Sequence, residues 1–205
     1  MKKVLTFIGA AFIATIGFNN TAVAQVEQGN VIIDLYYGYP NFGKKLADGI
    51  NSASSEITVG GIGPAGIRVE YMLSDNFGLG VDFIYNSTNL SFTADSLNLD
   101  NTVNRTYEVK TSMQRVRVML RANYHFVQTD VMDAYVGFGA GTNNRFWGLD
   151  TDYPDYEDAS IGATAIPVSA RIALGTRFYF TDNIGANVEL GIGGPLISAG
   201  LSVKF

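Results

Sequence analysis

Apolar residues recur at every second position over eight segments of this chain. The pattern is cleanest at 195–205, where Ile197, Ala199, Leu201, Val203 and Phe205 share one face while Ser198, Gly200, Ser202 and Lys204 share the other. A period of two belongs to the β-strand, whose successive side chains point to opposite sides. The same reading predicts a strand over 29–39, with Val31, Ile33, Leu35, Tyr37 and Tyr39 opposite Asp34. It predicts a second over 59–73 (Ala65, Ile67, Val69 and Tyr71 opposite Arg68 and Glu70) and a third over 77–86 (Leu79, Val81, Phe83 and Tyr85 opposite Asp82). In the fourth, 107–126, Val116, Val118, Leu120, Ala122, Tyr124 and Phe126 oppose Arg117, Arg121, Asn123 and His125. The glycine-rich fifth, 134–142, is ambiguous in facing, with Val136, Phe138 and Ala140 favoured as its apolar side. In the sixth, 161–180, Val168, Ala170, Ile172, Leu174, Phe178 and Phe180 oppose Arg171, Gly175 and Arg177. In the seventh, 184–193, Ile184, Ala186, Val188, Leu190 and Ile192 oppose Asn187 and Glu189.

These strands put charge on one face and a wide apolar stripe on the other. A soluble barrel buries its apolar face, whereas a barrel in lipid turns it outward and keeps polar groups in the lumen. Each spanning strand needs about 9 to 11 residues, which these segments supply. The expected fold is therefore all-β: an eight-stranded antiparallel up-and-down transmembrane β-barrel. Connections at 74–76, 127–133 and 181–183 are short, and those at 40–58, 87–106 and 143–160 are long. Short turns lie on the periplasmic side of such barrels and long loops outside, so both termini are expected in the periplasm. Tyr71, Tyr124, Phe126, Phe178, Phe180 and Phe205 would then form the inner aromatic girdle, with Tyr37, Tyr39 and Tyr85 in the outer one.

The N-terminus fits an exported protein. Lys2 and Lys3 precede an apolar run from Val4 to Phe18 and then Ala22-Val23-Ala24, the three zones of a signal peptide, with cleavage expected after Ala24. The run is short of the roughly 20 apolar residues that span a bilayer as a helix. The 205 residues less these 24 leave 181, one domain over 25–205. Removing Lys2 and Lys3 from the 14 basic residues leaves 12 against 19 acidic ones, a net charge of −7, which disfavours nucleic acid as a partner. With no cysteine, neither N-terminal lipidation nor a disulfide framework is available.

Two hairpins share a plan of aromatic, spacer, Asp-Asn, apolar and Gly: Tyr71 to Gly78 and Tyr179 to Gly185. Asp and Asn suit the turn because both tolerate left-handed backbone and hydrogen-bond locally. With the Arg121-Ala122-Asn123-Tyr124-His125-Phe126 strand end, the Tyr135 to Gly141 strand and the final Phe205, the chain resembles the small outer-membrane β-barrel proteins of Gram-negative bacteria, of the eight-stranded OmpA/OmpX type. The resemblance covers essentially the whole of 25–205. It implies a bacterial outer-membrane location, contact with membrane lipid, a monomer, and a terminal strand (Leu201, Val203 and Phe205) read by the barrel-assembly machinery. Its motifs specify a fold rather than an activity, and the chain is expected to be non-enzymatic and to carry no cofactor.

The inward charges bear on what the barrel does. Asp34, Glu70, Asp82 and Glu189 oppose Arg68, Arg117, Arg121, Arg171, Arg177 and Lys204. An eight-stranded barrel is just wide enough inside for side chains to fill. One reading is a salt-bridged plug in a barrel with a structural or surface-interaction role. The alternative is a narrow or gated solute channel, in which the surplus of arginine favours anions. A third, catalysis on lipid, needs a nucleophile beside a base, and His125 is the sole histidine, near a periplasmic turn. In the outer connections, Asp150 to Asp158 carries five carboxylates in nine residues. It reads either as a solvated acidic loop or as a divalent-cation site that departs from the EF-hand spacing. Arg145, Phe146 and Trp147 before it read as girdle residues or as a grip on lipid headgroups or a surface ligand.

Overall fold

The computed structural model describes residues 26–51, 57–97, 103–152, 158–162, 164 and 166–205. The expected signal peptide and residues 153–157 of the acidic segment lie outside the described residues. In chain order the elements are β1 (Val31–Tyr39), α1 (Phe42–Asn51), β2 (Thr58–Gly60), β3 (Ala65–Ser74), β4 (Phe77–Leu97), β5 (Val103–Gln128), β6 (Met132–Thr142), β7 (Asn144–Thr151), β8 (Ala159–Gly162), β9 (Val168–Tyr179), β10 (Ile184–Ile192) and β11 (Ile197–Lys204). Eight of these strands form the barrel wall in the cyclic order β1, β3, β4, β5, β6, β9, β10, β11, each antiparallel to its neighbours. Pairing of β1 with β11 closes the ring. Closure satisfies the backbone without a free edge, as crossing a bilayer demands.

The two faces of the wall are inverted relative to a soluble protein. Leu35, Val69, Leu79, Leu120, Phe138, Ile172 and Leu201 are exposed, while Asp34, Arg68, Glu70, Asp82, Arg177 and Glu189 are buried. The ambiguous β6 places Phe138 and Ala140 outward and Tyr135 inward, with Val136 half-buried on the outer face.

The segments expected as long loops carry structure. Within 40–58 stands α1, and β4 and β5 run far past the wall through most of 87–106, paired from Phe77↔Tyr124 to Leu97↔Val103. Within 143–160, β7 pairs with β5 and β8 with β7, while β2 pairs with the upper part of β4. A five-stranded sheet thus rises from one side of the barrel mouth. Conversely, the expected strand 59–73 is interrupted at 61–64, and the expected strand 161–180 is divided between β8, which ends at Gly162, and β9, which begins at Val168. In the acidic segment, Asp152 accepts from the Glu108 N–H at 2.7 Å and Asp158 from the Thr151 N–H at 3.2 Å. Among the described residues no group of three or more acidic, histidine or cysteine side chains is placed to hold a metal ion.

The lumen is layered along its axis. Val26, Ile32, Met72 and Tyr179 form a buried apolar floor at the short-turn end. Above it the charged residues fill the middle, and Tyr36, Ile84 and Met119 make a second apolar layer.

Candidate functional site

Strand register assembles the charged layer. Asp34 stands opposite Arg68 on one side and Ser202 on the other, and Arg68 stands opposite Asp82. Alternation sends all four inward, so local pairs form between adjacent strands. Contacts across the lumen then link the pairs. Arg177 of β9 donates to Asp34 through Nε at 3.1 Å and Nη2 at 2.9 Å, to Asp133 at 2.9 Å and to Glu70 at 2.7 Å. Arg68 reaches Asp34 at 3.1 Å, Glu189 at 3.2 Å and Asp82 at 3.6 Å.

Glu189 is the second hub. It accepts from Arg171 Nη2 at 2.7 Å, from Arg121 through both carboxylate oxygens, and from the Tyr135 hydroxyl at 3.1 Å. Tyr135 in turn accepts from Arg68 at 3.0 Å, and its ring lies 4.5 Å beneath the Arg177 guanidinium. The Tyr36 hydroxyl donates to Asp82. His125 meets Asp133 through Nδ1 at 2.6 Å and Glu70 through Nε2 at 3.0 Å. With a carboxylate at each ring nitrogen, it donates to both only as an imidazolium. Five carboxylates (Asp34, Glu70, Asp82, Asp133, Glu189) then face five cations (Arg68, Arg121, Arg171, Arg177, His125), and the layer is neutral.

Inward glycines make room for this crowding. A β-carbon on Gly175 would run into the Tyr135 ring, on Gly66 into the Tyr36 ring, and on Gly78 into the Glu70 carboxylate. Large side chains thus lie over bare backbone at these three positions.

Of the inward residues anticipated from sequence, Asp34, Arg68, Glu70, Asp82, Arg121, Arg171, Arg177 and Glu189 meet in this layer. Arg117 does not. It points inward and is 3% exposed, but it stands opposite Ile84 of the second apolar layer, donates to the Gly193 carbonyl at 2.5 Å, and has no carboxylate within 4 Å among the described residues. Lys204 sits at the floor, 5.6 Å over the Tyr179 ring. Sequence reasoning missed Tyr36, Tyr135 and Asp133. Asp133 falls in an expected turn, but β6 begins at Met132, and Asp133 lies two residues from Tyr135 on its inward face, where Tyr135 stands opposite His125. The signal for Tyr36 and Tyr135 was parity alone, since each lies an even number of positions from an inward residue of its strand. In β11, Leu201 and Phe205 are exposed and Val203 is half-buried.

Residues 10–198 match the model of a family described as the outer membrane protein beta-barrel domain. No curated protein matches the sequence significantly. Among solved structures, the N-terminal β-barrel domain of OprF from Pseudomonas aeruginosa aligns at 18% identity and a TM-score of 0.44, covering 87% of this chain and 99% of that one. Ail, the attachment invasion locus protein of Yersinia pestis, aligns at 10% identity and 0.44, with the same coverage. OprG of Pseudomonas aeruginosa aligns at 12% and 0.43, covering 89% of this chain and 99% of that one.

Proposed function

The chain belongs to the outer membrane protein beta-barrel domain family, and from that premise we propose that it is a closed, non-enzymatic barrel of the bacterial outer membrane with a structural and surface-interaction role. The observation that carries this reading is the neutral layer of five carboxylates and five cations spanning the lumen from seven of the eight wall strands. Opposite charges at one level in a tube of low dielectric hold each other in place and leave no path for an ion. The alternative, a narrow solute channel, requires this layer to part.

Several finer readings accompany it. Residues 1–24 act as a cleaved export signal, both termini face the periplasm, and the sheet and helix at the opposite end face outward. The protein works as a monomer, and the assembly machinery reads Leu201, Val203 and Phe205 on the last strand. Against catalysis, both ring nitrogens of His125 are taken by carboxylates, which leaves no nitrogen to activate a hydroxyl.

Single-channel recording on refolded 25–205 in planar bilayers tests the closed lumen. A silent wild type that keeps the heat-dependent gel shift of a folded barrel is the expected result. Reproducible openings of the wild type, altered by Arg121→Ala or Glu70→Ala, would establish the channel instead.

A further inference from the structure

Above the second apolar layer the mouth of the barrel widens into a cavity of about 470 Å³, between α1 and the projecting sheet. That volume lies within the range of small-molecule sites, roughly 300–1,000 Å³. Its walls differ sharply in character. On one side, Arg115 and Arg117 project from the inward face of β5 and Arg145 from β7. On the other, Phe42 and Leu46 stand one helical turn apart on α1, 56% and 70% exposed, while Trp147, two residues from Arg145 on the same face of β7, adds an aromatic ring beside the arginines.

The arginines carry the argument. Arg115 and Arg145 are direct cross-strand partners, and Arg117 lies two residues from Arg115 on the same face. Like charges directly opposite are destabilising in a sheet. Arg115 donates to Asn143 at 2.6 Å and Arg117 to the Gly193 carbonyl, yet neither these two nor Arg145 has a carboxylate within 4 Å among the described residues. The Nε groups of Arg117 and Arg145 are buried without a hydrogen-bond partner, as is the Asn86 side-chain oxygen on the same wall. Every cation of the layer beneath is matched by a carboxylate, whereas these three arginines have none within 4 Å among the described residues. Buried, uncompensated guanidinium groups are costly unless an anion completes them.

We propose that this cavity binds a small amphiphilic anion, its carboxylate or phosphate held by Arg115, Arg117 and Arg145 and its apolar body lying along Phe42, Leu46 and Trp147. The planar guanidinium fork suits both anions through paired N–H donors. The apolar wall selects against a bare inorganic ion, because only a hydrophobic body removes Phe42 and Leu46 from water. This site deepens the surface-interaction role proposed above and rests on that reading. It stands or falls separately from the closed lumen, since the ligand need not pass the charged layer.

Trp147 is the sole tryptophan of the chain and lines the site, so its fluorescence reports occupancy. The protein in nanodiscs of zwitterionic lipid is titrated with octanoate, octanol, acetate and inorganic phosphate. Octanoate should produce a saturable change, while octanol, acetate and phosphate bind about tenfold more weakly or not at all. Arg115→Gln and Arg145→Gln, each half-buried and checked for the folded gel shift, should each weaken octanoate about tenfold. Equal binding of octanol would overturn the arginine contribution. Equal binding of phosphate or acetate would overturn the apolar one. No saturable change in folded protein, or a response that follows phosphatidylglycerol content and ignores octanoate, would overturn the site as a whole.

Discussion

Buried charges in this barrel fall into two kinds, and their substitutions should behave oppositely. Arg177 is held by Asp34, Glu70 and Asp133, so Arg177→Ala takes one cation from three buried carboxylates and leaves Asp34 to Arg68 and both Glu70 and Asp133 to His125. Removing one partner of a buried pair typically costs about 3–5 kcal/mol. Urea unfolding of the barrel in lipid should show a lower midpoint at unchanged slope. Arg117 has no such partner, so Arg117→Met should leave the ligand-free midpoint unchanged or raise it, since an apolar side chain carries no uncompensated charge. A fall on Arg117→Met comparable to that on Arg177→Ala would mean that the two arginines are equally compensated. Parity of position told which residues point inward, so the members of the layer were largely legible from sequence. Their partners were not. Arg177 meets Asp34 across 143 residues of chain, through strand stagger that no local pattern encodes. Tyr36 and Tyr135 were hidden for another reason, because a tyrosine in an alternating strand reads equally as an interfacial aromatic and as a buried hydroxyl.

At the scale of elements, the wall strands were legible because lipid on one side and a polar lumen on the other impose a strict alternation. Beyond the bilayer that constraint ends. The upper parts of β4 and β5 set Asn89↔Ser112, Ser91↔Lys110 and Thr93↔Glu108 on one face against the mixed pairs Thr88↔Met113, Leu90↔Thr111 and Phe92↔Val109 on the other, too little apolar character to stand out, and so read as loop. Helix α1 is not legible in the pattern because Gly43 and Gly49 weaken its propensity and the apolar series Phe42, Leu46, Ala47 and Ile50 is short. The projecting hairpin is thus an addition to the wall rather than part of its closure. Replacing residues 90–111 with Asn-Gly joins the register partners Asn89 and Ser112 through a favoured two-residue turn. The shortened protein should still refold with the gel shift of a closed barrel, because the pairing of 77–88 with 113–124 remains. It should lose the octanoate response, since Leu90 and Thr111 leave the cavity wall and β7 loses the partners of Leu149, Asp150 and Thr151 on β5. A product that no longer migrates as a folded barrel would show that the extension is needed for closure.

The whole molecule places its barriers in series. An ion crossing the lumen meets the apolar floor of Val26, Ile32, Met72 and Tyr179, then the charged layer, then Tyr36, Ile84 and Met119. Resistances in series are governed by the largest, and an apolar constriction blocks by excluding water as well as by size. Loss of one charge therefore leaves two dry layers in place, and Arg121→Ala or Glu70→Ala alone should stay as silent as the wild type. The charged layer and the apolar layer above it share β5, where Met119 and Arg121 lie two residues apart and face the same way. Combining Ile84→Ala, Met119→Ala and Arg121→Ala empties adjoining parts of both. Beside Tyr36 and the remaining charged groups, the floor is then the one layer left intact, and its Val26 belongs to a segment before β1, held by single hydrogen bonds such as the one its carbonyl accepts from Gln128 at 3.4 Å. The triple variant should give resolvable openings in planar bilayers, and adding Val26→Gly should lengthen them. If Arg121→Ala alone conducts, the charged layer is the sole barrier and the apolar layers are wet. If the folded triple variant remains silent even with Val26→Gly, the remaining charged groups seal the lumen unaided.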